Sequence, residues 1–139
     1  MPVITKNFTI ETQGHSQILD ITKQLKSQIL NISISSGIAV VFIPGSTAGI
    51  TSIEYESGVI QDLAAAIERL APKSIHYNHD ARWGDGNGYA HVRAALIGAS
   101  FTIPLQDKQL LLGTWQQIVL IDFDNRPRTR KVILQLIGE

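Results

Sequence analysis

The sequence predicts an α+β fold: a compact sandwich of mostly antiparallel strands with two main helices and one short helix, in a single domain over residues 1–139. Three observations carry this expectation. Residues 101–138 read as strand interrupted only by turn signals. Only two segments keep a long helical apolar period, which argues against a doubly wound sheet. The final strand is mostly apolar on both faces, with Val132, Leu134 and Leu136 pointing one way and Ile133, Gln135 and Ile137 the other. Such a strand lies between two layers or turns its outer face to another subunit.

Taken in order, Val3 to Thr12 alternates loosely and reads as a strand, with Gly14 behind it. Gln17 to Ile21 is a second short strand. Thr22 stands as a helix N-cap, with Ile21, Leu25, Ile29 and Ile32 on one apolar face and Gly37 ending the helix. GIAVVFIP is a β-branched apolar run suited to a strand buried on both faces, and AGITSIEYE resumes as strand after the break at Pro44 to Thr47. Ser57 caps a second helix whose Ile60, Leu63, Ile67 and Leu70 share a face, and Pro72 closes it. The segment SIHYNHD looks extended. Asn87 caps a short helix running to Ala95 or Leu96, with Gly98 just beyond. FTIPLQ, QLLLGTWQQIVLIDF and RTRKVILQLIG are the closing strands, parted by turns at Gln106–Lys108 and Asp124–Pro127.

Twelve basic and twelve acidic residues leave no net charge to suggest nucleic-acid binding. Arg126, Arg128, Arg130 and Lys131 cluster near the C-terminus, and so short a cluster reads as a solvated hairpin end. The absence of cysteine excludes thiolate ligands, so a metal site here must use histidine, carboxylate, carbonyl or water. No apolar run approaches the roughly 20 residues of a membrane helix, and MPVITKNFTIET has no signal-peptide pattern. The expectation is a soluble cytoplasmic protein without membrane or nucleic-acid partners.

The segment WGDGNGYAHVR, residues 83 to 93, holds the densest chemistry. It sets Asp85, Asn87, Tyr89, His91 and Arg93 among three glycines, and loops of this kind carry binding and catalytic groups on a rigid scaffold. PGSTAGITS places the hydroxyls of Ser46 and Thr47 on a sharp bend, either a β-bulge with a capping hydroxyl or a cradle for phosphate or carboxylate. LGTWQQI offers Thr114 and Gln116 as pocket lining or bulge filling. Of the four histidines, His15 reads as a surface turn residue. His76 and His79, three apart in an extended segment, would face opposite ways, so at most one belongs to a site. His91, near a helix start, is the strongest candidate, and His79, His91 and Glu54 would together form a His/His/carboxylate metal set.

The islands PGSTAGITSIEYE, YNHDARWGDGNGYAHVRAALIGAS and LGTWQQIVLIDFDNRPRTRKVILQLIGE resemble, in order and spacing, those of the YjbQ family, also labelled secondary thiamine-phosphate synthase. The resemblance implies an α+β sandwich assembled as a homotrimer, a histidine-based metal or anion site near subunit contacts, and weak thiamine-phosphate synthase activity in some members. His79 matches the family's Tyr-x-His histidine, and His91 the second histidine of its Asn-x-His-x-His segment. Gly45 and Ser46 stand where the family often has His-Thr, although a Gly-Ser branch also resembles this chain. Tyr89 stands at the first histidine of the pair, and a phenol with a pKa of about 10 is a poor divalent-metal ligand.

Two functions follow as expectations. In the first, the protein joins a pyrimidine diphosphate to a thiazole phosphate and releases pyrophosphate. Asp85 and a divalent ion (Mg²⁺ or Zn²⁺) neutralise the leaving group, Ser46, Thr47, Asn87 and Arg93 hold phosphate oxygens, and His91 transfers a proton. The chain is far shorter than the about 250 residues of a TIM barrel, so a side activity is expected and not a dedicated one. In the second, it binds a phosphorylated or carboxylated metabolite, or a partner protein, without chemistry.

Overall fold

The computed structural model describes all 139 residues, as eight strands and four helices. In chain order they are β1 (Val3–Thr12), β2 (Gln17–Asp20), α1 (Thr22–Ile29), β3 (Gly37–Phe42), β4 (Ala48–Glu54), α2 (Ser57–Leu70), α3 (Asn78–Trp83), α4 (Gly88–Ile97), β5 (Ser100–Gln106), β6 (Gln109–Leu110), β7 (Gln116–Asp122) and β8 (Arg128–Gly138). The strands form a five-stranded sheet in the order β1-β8-β3-β5-β6 and a three-stranded sheet in the order β2-β7-β4. Every pairing is antiparallel. The α+β architecture is therefore as the sequence predicts.

The period-two apolar pattern explains how the sheets meet. Val132, Leu134 and Leu136 of β8 and Ala39 and Val41 of β3 face Ile50 of β4 and Ile118 and Leu120 of β7 across a buried core. Leu25 and Ile29 of α1 close one end of it. The opposite face of the small sheet presents Val119, Ile121 and Phe123 to Ile67 of α2 and to Tyr89, Ala90 and Ala94 of α4. The strand buried on both faces is thus β7, which both cores share. In β3 and β8 only one face is fully covered. Ile38, Phe42 and Ile137, on the outer face, are 49%, 40% and 42% exposed.

Several local expectations are corrected. Thr22 is the first helical residue and not the cap, because its hydroxyl is drawn away to accept the Ile118 N–H at 2.9 Å. Helix α1 stops at Ile29, and Gly37 opens β3. Ile32 and Ile34 are both buried, so the intervening chain follows a two-residue and not a helical period. Glu56, and not Ser57, caps α2, its carboxylate accepting the Gly58 and Val59 N–H groups. Leu70, expected on the apolar face, is 71% exposed.

Residues 78–80 of the segment read as extended instead open α3, which runs to Trp83 and is closed by Gly84 at φ 72°, whose N–H donates to the Asp80 carbonyl at 2.8 Å. A fourth helix joins the three expected. The run from Gln109 to Phe123 breaks into β6 and β7, because Gly113 and Gln116 make a tight turn in which Gln116 Oε1 accepts the Gly113 N–H. No helix is long and apolar enough to cross a membrane.

Candidate functional site

The C-terminal end of β7 carries the charges on which the site is built. Asp122 and Asp124 alternate along the strand exit and are both buried. Arg130 of β8 meets Asp122 in a two-pronged pair, Nε to Oδ2 at 2.7 Å and Nη2 to Oδ1 at 2.8 Å. Thr12 of β1 donates to the same carboxylate at 2.6 Å. Burial opposes ionisation of Asp122, but the hydrogen bonds from Arg130, Thr12 and the Asp124 N–H prevail and hold its carboxyl below the ordinary value. Asp124 is lowered in the same way: against its burial stand hydrogen bonds from the Asn125 N–H, Asn87 and Thr47, and the charge of Arg128.

This network pins the bend between β3 and β4. Arg130 Nη2 donates to Thr47 Oγ1 at 2.8 Å, and Thr47 in turn donates to Asp124 Oδ2 at 3.2 Å. Thr47 is 5% exposed and its hydroxyl is fully engaged, so it positions the bend, while Ser46 beside it is exposed and has no side-chain partner. On the other side, Asn87 Nδ2 donates to Asp124 Oδ1 at 3.2 Å, and Asn125 Nδ2 to the Asp85 carbonyl at 2.9 Å. The glycine-rich loop is thereby tied to the β7–β8 turn.

Between these walls lies an open cavity of about 410 Å³, with Trp83 its one apolar side chain. Ser46, Thr47, Asp85, Asn87 and His91 converge there, joined by His79, Asp124 and the arginines 126, 128 and 130. Arg128 pairs with Asp124 at 3.1 Å, whereas Arg126 makes no ion pair and no side-chain hydrogen bond.

The rings of His79 and His91 stand 4.2 Å apart, centroid to centroid. Burial, then the neighbouring His79, lowers the His91 pKa below the ordinary imidazole value, against the pull of Asp85, Asp124 and Asp80, which favours the neutral ring. His79 Nδ1 lies 3.4 Å from Asp85 Oδ1 and 3.6 Å from Asp80 Oδ1 but hydrogen-bonds to neither. Asn87 Oδ1, also out of contact with solvent, lacks a partner too.

Four of the expected site residues lie elsewhere. Arg93 is buried beneath α4, donating to the Ala71 carbonyl at 3.0 Å and to Ser16 at 2.8 Å, and pairing with Glu68. The helical turn that presents His91 to the cavity directs Arg93 away from it. Glu54 pairs in register with Gln116 while Ala48 pairs with Asp122, so Glu54 and Gln116 sit about 20 Å along the strands from the cavity. Gln116 donates to Ser52 at 3.1 Å, and Thr114 is exposed in the adjoining turn.

Tyr89 is not a displaced ligand. It is 2% exposed in the helix-side core, with Arg93 over its ring at 5.0 Å. His76 bonds to Asn78 and takes no part in the site. The signal for the arginines was present in the sequence as the alternation Arg126-x-Arg128-x-Arg130, which sets them along one side of an extended chain.

A family described as UPF0047 protein YjbQ-like matches residues 6–139. A UPF0047 protein of Methanocaldococcus jannaschii is 36% identical over 133 residues, covering 95% of this chain and 93% of its own. Among solved structures, a protein of Aeropyrum pernix superposes with a TM-score of 0.90 at 32% identity, covering 98% of this chain and 99% of the other. A YjbQ/UPF0047 protein of Clostridium acetobutylicum gives 0.86 at 36%, covering 95% and 99%. With both the sequence match and the fold extending over nearly the whole chain, this protein belongs to the YjbQ (UPF0047) family.

Proposed function

We propose that the cleft binds a phosphorylated or carboxylated small molecule. The observation that carries this reading is Arg126, which makes no ion pair and no side-chain hydrogen bond and lines the same cavity as Arg128 and the unpartnered hydroxyl of Ser46. A guanidinium left unpaired in a cleft offers charge-assisted hydrogen bonds to the oxygens of an anion. Arg126 and Arg128 receive the anionic oxygens, and Ser46 and the His91 ring each add a hydrogen bond.

A divalent ion fits beside this site. His79 Nδ1, Asp80 Oδ1 and Asp85 Oδ1 lie within 4.8 Å of one another. Ligands about 2.0 Å from a tetrahedral zinc stand about 3.3 Å apart, close to the separations of His79 Nδ1 from the two carboxylates. Bound there, the ion would neutralise charge on phosphate oxygens. The weak transfer of a pyrimidine diphosphate onto a thiazole phosphate is the second reading, favoured by the His91 imidazole lining the same cavity as the arginines. Calorimetric titration with phosphate and pyrophosphate, with and without Mg²⁺ or Zn²⁺, tests the binding. Micromolar to millimolar affinity is expected, and no heat with either anion under any condition overturns it. Release of pyrophosphate from the two substrates separates the transferase from a binding protein.

We also infer self-association through the outer face of the five-stranded sheet, where Ile38 pairs in register with Ile137, and Phe42 with Ile133. Contiguous apolar surface of this kind is ordinarily covered by a partner, and a trimer is expected. A monomeric mass by light scattering at micromolar concentration overturns it.

A further inference from the structure

Beside the polar cavity lies a second one of different chemistry. A cavity of about 340 Å³ shares Gly45, Ser46 and His91 with the first. Its remaining wall is made by the methyl groups of Ala48, Ala94, Ala95 and Ala99 and by the Gly98 backbone. Apart from the shared His91 it presents no ionisable group. The two lobes therefore meet at a shared wall, with Ser46 and His91 at the elbow between them.

The second lobe is fixed by the fold. Gly98 ends α4 at φ 92°, its N–H donating to the Ala94 carbonyl at 2.8 Å and its carbonyl accepting the Ile50 N–H at 3.0 Å. A Cβ built at Gly98 would meet no atom within 4 Å, so the space beside it is open. Ala94 and Ala48 are buried in the wall of the lobe, while Ala95 is exposed. Each lobe is within the range of small-molecule sites, about 300–1,000 Å³. An inorganic anion in the arginine lobe would leave the methyl-lined lobe to water.

Resting on the anion-binding reading, we propose that the ligand is a phosphomonoester whose uncharged organic group occupies the alanine-lined lobe while its phosphate faces Arg126 and Arg128. The ester oxygen then passes the elbow, within reach of the unpartnered hydroxyl of Ser46 and the ring of His91. Discrimination between organic groups belongs to Ala95 and Ala99, and affinity for phosphate to the arginines.

Calorimetric titration of the native protein and of Ala95→Leu with inorganic phosphate, butyl phosphate and phenyl phosphate tests this. Leucine is well tolerated on an exposed helix position, so the variant keeps its fold. The native protein is expected to bind at least one ester about tenfold or more tighter than inorganic phosphate. Ala95→Leu should abolish that preference and leave inorganic phosphate unchanged. Equal affinity for phosphate and both esters in the native protein overturns the second lobe but not the anion site. A preference that survives Ala95→Leu and disappears in Trp83→Ala places the organic group over the indole and overturns it as well. A fall in all three affinities in Ala95→Leu denies that the lobes are separable. No binding of any probe to the native protein overturns the anion site itself.

Discussion

Arg130 holds Asp122 with two parallel hydrogen bonds, 2.7 and 2.8 Å, while both side chains are almost wholly removed from water, 5% and 0% exposed. Removing one member of such a pair strands the other charge in the interior. Arg130→Ala is therefore expected to cost about 3–5 kcal/mol of stability. It should also release Thr47 and the bend, so anion affinity falls with it. Urea denaturation and phosphate titration measure the two effects. A loss below about 1 kcal/mol, the scale of a surface pair, would show that the geometry is not maintained in solution.

The same carboxylates predict an acid limit. Asp122 and Asp124 have lowered pKa values in the fold, whereas an unfolded aspartate titrates near about 3.9. Between the two the unfolded chain binds more protons, so stability falls as pH falls. Their contribution is complete above the unfolded value and is lost from about pH 5 downward, through the folded values. Denaturation midpoints at successive pH values should show this acid slope, and Asp122→Asn should flatten it. An unchanged slope in that variant contradicts the assignment.

Tyr89 tests the helix-side core. Its hydroxyl is buried and has no partner. Tyr89→Phe removes an unsatisfied group and should leave stability unchanged or raise it by up to about 1 kcal/mol. Tyr89→His should not strengthen Zn²⁺ binding, because that position faces the core. Higher zinc affinity in the histidine variant would mean that α4 is rotated from the orientation described.

His91→Ala should lower affinity for phosphate by about tenfold or more while shifting stability by no more than about 0.5 kcal/mol. Its side chain lines the cavity, with the His79 ring 4.2 Å away. Calorimetry and thermal unfolding check both parts. Unchanged binding with a melting point several degrees lower would make His91 structural.

The long periodic elements were legible from the sequence. The alternation of Val3 to Thr12 and Arg128 to Gly138, and the helical spacing around Ile60, Leu63 and Ile67, each need only one buried face to be read. The end of α1 was not legible, because Ile29, Leu30 and Ile32 satisfy helical and extended periods at once. Helix α3 has no buried residue and so leaves no apolar period.

In the site, the polar loop and bend stood out because they had too many functional groups for a turn. Asp122, Asp124 and the arginines did not, because alternating charges at a strand end look like a solvated hairpin until their buried partners are known. Arg93 and Glu54 were misplaced because neighbourhood in sequence does not fix direction on a helix or distance along a strand.

Strand β7 has a consequence for dynamics. Ile118 and Leu120 of the strand face one core and Val119 and Ile121 the other, and the chain leaving it delivers Asp124 to the cleft. Proteins open in cooperative units, and those with the most buried apolar contacts open only with the whole. The amide hydrogens of this strand should therefore exchange by global unfolding alone. The charged floor of the cleft is then present whenever the chain is folded, and a ligand meets it already ordered.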